Sequence, residues 1–246
     1  MRSTTLTCVL TLALLFFGTV GDVLAQVEIG KASSLRFYGG PVLRTYGYGL
    51  TAGFKNSASK HTRTWQMDLV THKHPREIKI INPNVQNPRP YVYGKLFRTA
   101  FMRVNTGYEL PLIQRNDWNR LGVYLQTQGG VTAAIQRPVY LSIYHRNGND
   151  NSGYIRSERY DPEVHTRQED ILGYSDDQGG WGELEYRLGL NVRAAVDLQW
   201  ASDNGGYKSL RVGGIVDYFP GGLPMMALTE NPTAPATLYI AFIWGR

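Results

Sequence analysis

Leu184-Glu185-Tyr186-Arg187-Leu188-Gly189-Leu190-Asn191-Val192-Arg193-Ala194-Ala195-Val196-Asp197-Leu198-Gln199-Trp200 alternates from end to end. Leu184, Tyr186, Leu188, Leu190, Val192, Ala194, Val196, Leu198 and Trp200 form one set, and the charges and amides fall between them. On a helix this spacing would scatter apolar groups around the whole circumference. On a strand it puts them all on one face and Arg193 and Asp197 on the other. At about 3.3 Å per residue the run reaches roughly 55 Å. Only about 9–11 residues are needed for a strand to cross a membrane, so part of it should project beyond a bilayer or enter a loop.

The same period recurs along the chain. Tyr46, Tyr48, Leu50, Ala52 and Phe54 alternate with glycine, Thr51 and Lys55, and Trp65, Met67 and Leu69 with Gln66 and Asp68. Further segments are centred on Met102–Val104, Leu121–Leu125, Leu210–Tyr218 and Leu238–Trp244, and Val139–Tyr144 is a weaker one. The count comes to about eight strands, and with no repeat of fixed period a propeller or solenoid is disfavoured.

Alternation alone fits a soluble sandwich, a soluble ligand-binding barrel, or a membrane barrel turned inside out. Three features point to the membrane. Aromatics (Tyr46, Tyr218, Trp200, Trp244) stand near the ends of the apolar set, where interfacial girdles sit. The opposite set mixes glycine with full charges, as the crowded inside of a small barrel requires. The Leu238–Trp244 strand is apolar and aromatic with only Gly245 and Arg246 after it. The expected fold is therefore all-β, an antiparallel transmembrane β-barrel of about eight strands with a long extracellular loop carrying a short helix. Period two then forces Arg193, Asp197, Arg211 and Asp217 inward together. An unpaired charge inside a narrow barrel is costly, so Arg193 or Arg211 is expected to contact Asp197 or Asp217 in a structural role.

Of 246 residues, 42% are hydrophobic and 19% charged, which suits one ordered domain. Glycine supplies 27 of them and tyrosine 16, a turn-rich aromatic composition. Beyond the N-terminus the longest apolar run is Leu238–Trp244, far short of the about 20 residues of a spanning helix. Residues 1–25 read as a secretory signal peptide: Arg2 gives the positive start, Leu6–Val20 the apolar stretch, and Val23-Leu24-Ala25 the cleavage site, with cleavage between Ala25 and Gln26. The only cysteine, Cys8, lies within it, so residues 26–246 have no disulfide and no thiol chemistry. The net charge of +6 is spread without a dense Lys/Arg run, which fits a solvated surface or anionic head groups and not nucleic acid.

The connections set a provisional topology. Asn204-Gly205-Gly206 is a tight hairpin signal. Residues 146–183 form the longest insertion, expected outside the cell. Within it Asp161-Pro162-Glu163, with Gly173 as a stop, predicts a short helix over 162–172. Residues 220–235 contain Pro220, Pro224, Pro232 and Pro235 and read as irregular. Residues 73–94, with Pro75, Pro83, Pro88 and Pro90, are awkwardly long for a periplasmic turn and are expected to plug the barrel or bind a partner.

Several segments, in order, resemble small outer-membrane β-barrel proteins of the Bacteroidota. They are Asn87-Pro88-Arg89-Pro90-Tyr91-Val92-Tyr93-Gly94-Lys95-Leu96-Phe97, Arg137-Pro138-Val139-Tyr140-Leu141, Arg159-Tyr160-Asp161-Pro162-Glu163-Val164-His165, Val216-Asp217-Tyr218-Phe219-Pro220, Pro224-Met225-Met226-Ala227 and Leu238–Arg246. The resemblance covers roughly residues 87–246. It implies an integral outer-membrane barrel in a diderm bacterium and brings no catalytic residue with it.

Chemical motifs are sparse. His72-x-His74 puts two imidazoles on one strand face, but Lys73 and Arg76 disfavour a cation and a solvated strand end is the plainer reading. His165 with Asp161, Glu169, Asp170, Asp176 and Asp177 gives the long loop a hydrolase-like mixture, but a charged, water-facing loop with a helix cap is the better reading. Ser152-Gly153 and Ser175-Asp176 lack the setting of a nucleophile elbow. No glycine-rich phosphate loop opens a helix. The expectation is a non-enzymatic barrel without cofactor or metal, sitting in outer-membrane lipid as a structural or accessory subunit of a cell-envelope complex for secretion or outer-membrane assembly, with protein partners. The alternative is an outer-membrane enzyme acting on lipid or peptide at the rim. A substrate-free pore fits less well, because about eight strands leave no aqueous channel.

Overall fold

The computed structural model describes residues 35–57, 62–83, 85, 89–114, 121–146, 153–175, 180–201 and 206–246. The signal peptide, the Ala25/Gln26 cleavage site and the Asn204-Gly205 turn fall outside these residues. In chain order the strands are β1 (Leu35–Arg44), β2 (Gly47–Asn56), β3 (Thr62–His72), β4 (Lys79–Ile80), β5 (Tyr91–Val92), β6 (Phe97–Ile113), β7 (Leu121–Pro138), β8 (Tyr140–Arg146), β9 (Gly153–Arg159), β10 (Ile171–Tyr174), β11 (Glu185–Ala201), β12 (Tyr207–Tyr218) and β13 (Ala236–Gly245). Eight of them close into an antiparallel barrel in the order β1-β13-β12-β11-β7-β6-β3-β2. Closure leaves the barrel no free sheet edge.

The face assignment follows the period of two. Leu188, Leu190, Val192 and Val196 on β11 point outward and are exposed, as are Val212 and Val216 on β12, Leu238 and Ile240 on β13, Leu43 on β1, and Leu50 on β2. Arg193, Asp197, Arg211 and Asp217 point inward and are at most 4% exposed. Aromatics ring the barrel near the end where β1 begins and β13 finishes. Phe37 meets Phe54 at 6.2 Å, Phe54 stacks on Trp65 at 4.8 Å, and Phe242 meets Trp200 at 6.0 Å and Trp244 at 4.7 Å. Tyr48, Tyr186 and Tyr218 stand exposed toward the opposite end.

Two sequence expectations are corrected. Val139–Tyr144 is not a barrel strand: β8 lies in a separate three-stranded sheet of order β10-β8-β9. The eighth barrel strand is β1, whose alternation is obscured by Gly39-Gly40-Pro41. These residues sit at the seam. β1 pairs with β13 at Tyr38, Gly39, Val42, Leu43 and Arg44, and the ladder skips Gly40 and Pro41. Proline brings no N–H to the seam. A Cβ on Gly40 would stand 1.9 Å from the Phe242 carbonyl oxygen, so only glycine lets the strands come this close.

The second correction concerns the helix over 162–172. The segment instead forms a turn, followed by a single 3-10 turn at Gln168–Asp170. The Asp161 side chain accepts from the Glu163 N–H at 2.9 Å, as a cap would. The His165 ring then accepts from the Asp161 N–H at 3.0 Å, and this local competition holds the backbone in a turn.

Residues 73–96, 139–184 and 219–235 all leave the barrel at the end opposite the start of β1 and the finish of β13, beside the tight turn at Thr45-Tyr46. The 73–94 segment therefore shares an end with the long insertion and is not a turn of the terminal end.

Candidate functional site: the charged interior and its cap

The barrel interior holds two ion-pair clusters. Nearer the termini, Arg211 Nη2 lies 3.0 Å from Asp197 Oδ2, directly across the β11–β12 ladder. Lys55 of β2 pairs with Glu109 of β6 and stands 3.5 Å from the same Asp197 oxygen. Gln199 donates to Asp197 at 3.0 Å and to Glu109 at 3.2 Å. This cluster balances two cations against two carboxylates, with Lys55 also held over the Tyr207 ring at 5.0 Å.

The other cluster lies toward the cap. Arg103 of β6 grips Asp217 with two parallel hydrogen bonds of 2.7 and 2.8 Å. Such a fork is the strongest geometry open to this pair. Thr132 donates to Asp217 at 2.9 Å, and Arg44 approaches it at 3.7 Å while donating to Thr237. Arg193 pairs with Asp68 of β3, which also accepts from Thr51 at 2.7 Å and from Gln66 at 2.8 Å. Gln66 joins the clusters, since its Oε1 accepts from Arg211 at 2.8 Å. Of the four interior residues marked by sequence, Arg211 and Asp197 meet each other. Arg193 and Asp217 instead reach across the lumen to Asp68 and Arg103, and Arg44, Lys55, Asp68, Arg103 and Glu109 complete the network.

Above the charges the lumen turns apolar. Phe101, inward on β6, lies 5.5 Å from Phe219, and the His72 ring stacks on it at 4.7 Å. Val70, Val92, Leu223, Met225 and Met226 pack with Phe101 and Phe219 as one buried cluster. The 219–235 segment is pinned in place: Gln136 donates to the Pro224 carbonyl at 2.6 Å, and Leu96 N–H donates to that of Met225 at 2.9 Å. Tyr91, Val139, Leu141, Ile143, Tyr160 and Ile171 form a further core between the 73–94 segment and the β8–β9–β10 sheet. Asn82 ties them together, donating to the Glu169 and Ile171 carbonyls at 2.9 Å each. The proline-rich segment thus helps build a cap with the other loops.

The polar cap residues are engaged with one another. Lys95 pairs with Glu77 at 2.5 Å, and burial draws its ammonium below the ordinary lysine value against the pull of that carboxylate. His145 and His165 both reach Glu158 at 3.2 Å. Burial pushes Glu158 upward, but the His165 hydrogen bond and the neighbouring His145 and Arg156 outweigh it and hold the carboxyl below its usual value. His74 faces the Glu230 carbonyl at 3.3 Å, while His72 turns into the barrel, so the two imidazoles serve different partners.

No family model matches the chain, and no curated protein matches it. Among solved structures, Neisserial surface protein A is similar at a TM-score of 0.39 with 8% sequence identity, over 87% of this chain and 98% of that one. At that level the likeness carries no argument, and the fold described above stands on its own geometry.

Proposed function

We propose that the chain is an integral outer-membrane β-barrel acting without catalysis, as a structural or accessory subunit of a cell-envelope complex. The observation that carries the membrane reading is the inverted burial of the barrel. Exposed Leu, Ile and Val cover its outside, while Arg44, Arg103, Arg193 and Arg211 are buried inside with Asp68, Glu109, Asp197 and Asp217. In water this would expose a large apolar belt, and in lipid it satisfies both faces. The two aromatic tiers sit where head groups meet hydrocarbon. The end bearing the large cap faces outward from the cell, since barrels of this class keep short turns on the periplasmic side.

The partner reading is supported by the cap. Ile78, Ile81, Val164, Trp181 and Leu228 are all more than half exposed there. Strand β9, paired to β8 alone among the described residues, offers an open edge to a further strand. A filled lumen under an apolar plug suits protein contact better than transport.

Fractionation of native envelopes tests the membrane reading. The protein should co-sediment with the outer membrane and migrate faster on gels when unheated, and recovery as a soluble periplasmic species would overturn it. Purification in mild detergent tests partnership. A stoichiometric partner lost when residues 73–94 or 146–183 are shortened supports the subunit role. A lone barrel whose deletion alters outer-membrane lipid would point to rim chemistry instead.

A further inference from the structure

The two interior clusters differ in charge. The one nearer the termini sets Lys55 and Arg211 against Glu109 and Asp197. The one toward the cap sets Arg44, Arg103 and Arg193 against, among the described residues, Asp68 and Asp217. A surplus guanidinium charge therefore lies within the barrel, cut off from water at the cap end by the Phe101–Phe219 plug. Arg44 carries that surplus. Asp217 is held by the Arg103 fork and Thr132, and it reaches Arg44 only at 3.7 Å, beyond hydrogen-bond distance.

The same region contains a cavity of about 10 Å³, lined by Val42, Arg44, Asp68, Val70, Arg103, Arg193, Ile215 and Tyr239. Three of these residues hold a buried polar atom without a hydrogen-bond partner: Nη1 of Arg44, Nε of Arg193 and the hydroxyl of Tyr239. The two guanidinium atoms are obligate donors and the hydroxyl is able to donate. Buried donors left unpaired are costly, and more so when charged. A cavity of this size takes one water-sized occupant, and a halide fits only with a small outward shift of the Arg44 and Arg193 side chains. The one carboxylate of the lining, Asp68, is already engaged by Arg193, Thr51 and Gln66, and the cluster as a whole is short of one negative charge.

We propose that this cavity is a binding site for a small monovalent anion of halide size, held by Arg44, Arg193 and Tyr239 and balancing the third arginine of the cap-side cluster. Chloride is the abundant ion of that class. With the lumen sealed at the cap end, the anion enters as the barrel closes and is retained afterwards. A single water would satisfy the donors but leave the charge surplus, and this separates the two occupants experimentally.

The full-length mature chain, refolded in detergent in sodium bromide, is crystallised and its anomalous scattering recorded at the bromine edge. A peak in the cavity within hydrogen-bond distance of Arg44 is expected. A well-ordered cavity without anomalous signal means water and overturns the proposal. In parallel, protein refolded in chloride is compared with protein refolded at equal ionic strength in gluconate, which is too large for the site. The temperature at which the compact gel species is lost should be higher by a few degrees in chloride. Arg44→Leu removes the surplus charge while leaving Asp217 its Arg103 fork, and should fold with no chloride dependence. Tyr239→Phe keeps every charge and should reduce the chloride shift without abolishing it, which keeps the test open if Arg44→Leu fails to fold. Equal melting of the unaltered protein in chloride and gluconate would overturn the proposal.

Discussion

The barrel lumen and the cap above it are both tightly packed, yet they are built on opposite rules. In the lumen Arg103, Arg193, Arg211, Asp197 and Asp217 are buried beside a small apolar cluster around Ile215, Tyr239 and Ile243, and Leu188, Leu190, Val192, Val212 and Val216 are outside. In the cap the buried groups are Leu141, Ile143, Ile171, Leu223 and Met225, and Arg156 and Arg159 lie at the surface. The change occurs within a few residues along β6, where Arg103, Phe101 and Thr99 all face inward. The difference reflects the solvent each part meets. Strand periodicity gives a barrel two faces, and on the proposed membrane reading lipid takes the apolar one. The cap, which that reading puts beyond the bilayer, keeps its hydrophobic groups for its own core as a water-soluble domain does.

If that contrast is right, lumen and cap should fail differently when damaged. The largest effect is expected at Asp217. Asp217→Ala leaves Arg103 and Arg44 buried without their carboxylate, at a cost of about 3–5 kcal/mol. The compact gel species should be strongly reduced on refolding, and an unchanged yield and melting temperature would mean that the lumen charges are not coupled. Phe219→Ala removes the centre of the plug and should cost about 3 kcal/mol, borne by the cap. Limited proteolysis should then cut the 219–235 segment faster while the barrel band survives. Simultaneous loss of both would show that cap and barrel melt as one unit.

Asp197→Asn is milder, because Glu109 still faces Lys55. A loss of about 2 kcal/mol is expected, read as a lower melting temperature with loop proteolysis unaltered. The smallest effect concerns pH. Glu158 is held below its ordinary value in the folded cap, so its contribution is present above the unfolded carboxylate pKa of about 4.3 and fades as pH falls through the lower folded value. Protection factors in β8 and β9, taken relative to the intrinsic exchange rate at each pH, should fall below about pH 4, and Glu158→Gln should flatten that dependence. Acid sensitivity that persists in the variant would assign it to other carboxylates.

The sequence made the barrel legible wherever the alternation ran unbroken. β11 could be read residue by residue, and so could the inward direction of its charges. β1 was hidden because Gly39-Gly40-Pro41 carries no side-chain pattern, although Leu35, Phe37 and Leu43 do keep the outward phase. Ion pairing was legible only across a hairpin. Asp197 and Arg211 are register partners on adjacent strands, and their proximity follows from the ladder. Arg103 and Asp217 are 114 positions apart, and Arg193 and Asp68 are 125 apart, on strands that face each other only after the barrel has closed. No local spacing encodes such a meeting. The cap was partly legible: β8 stood out by its apolar residues, whereas β9 is rich in Arg and Glu and exposed nearly throughout.

The gap at Gly40-Pro41 has a bearing on how the molecule is made. Every other neighbouring pair of barrel strands is joined by a connection, and so meets at modest entropic cost. β1 and β13 must find each other across nearly the whole chain, as Arg44 and Thr237 do at a separation of 193 positions. That union also lacks ladder pairs at Gly40 and Pro41, so it is expected to form late and to part early. If the barrel closes in a bilayer, as proposed, the chain is until then a curved sheet with two bare margins, each needing a temporary partner for its N–H and C=O groups. Whatever inserts this protein has to shield those margins until Arg44 reaches across to Thr237.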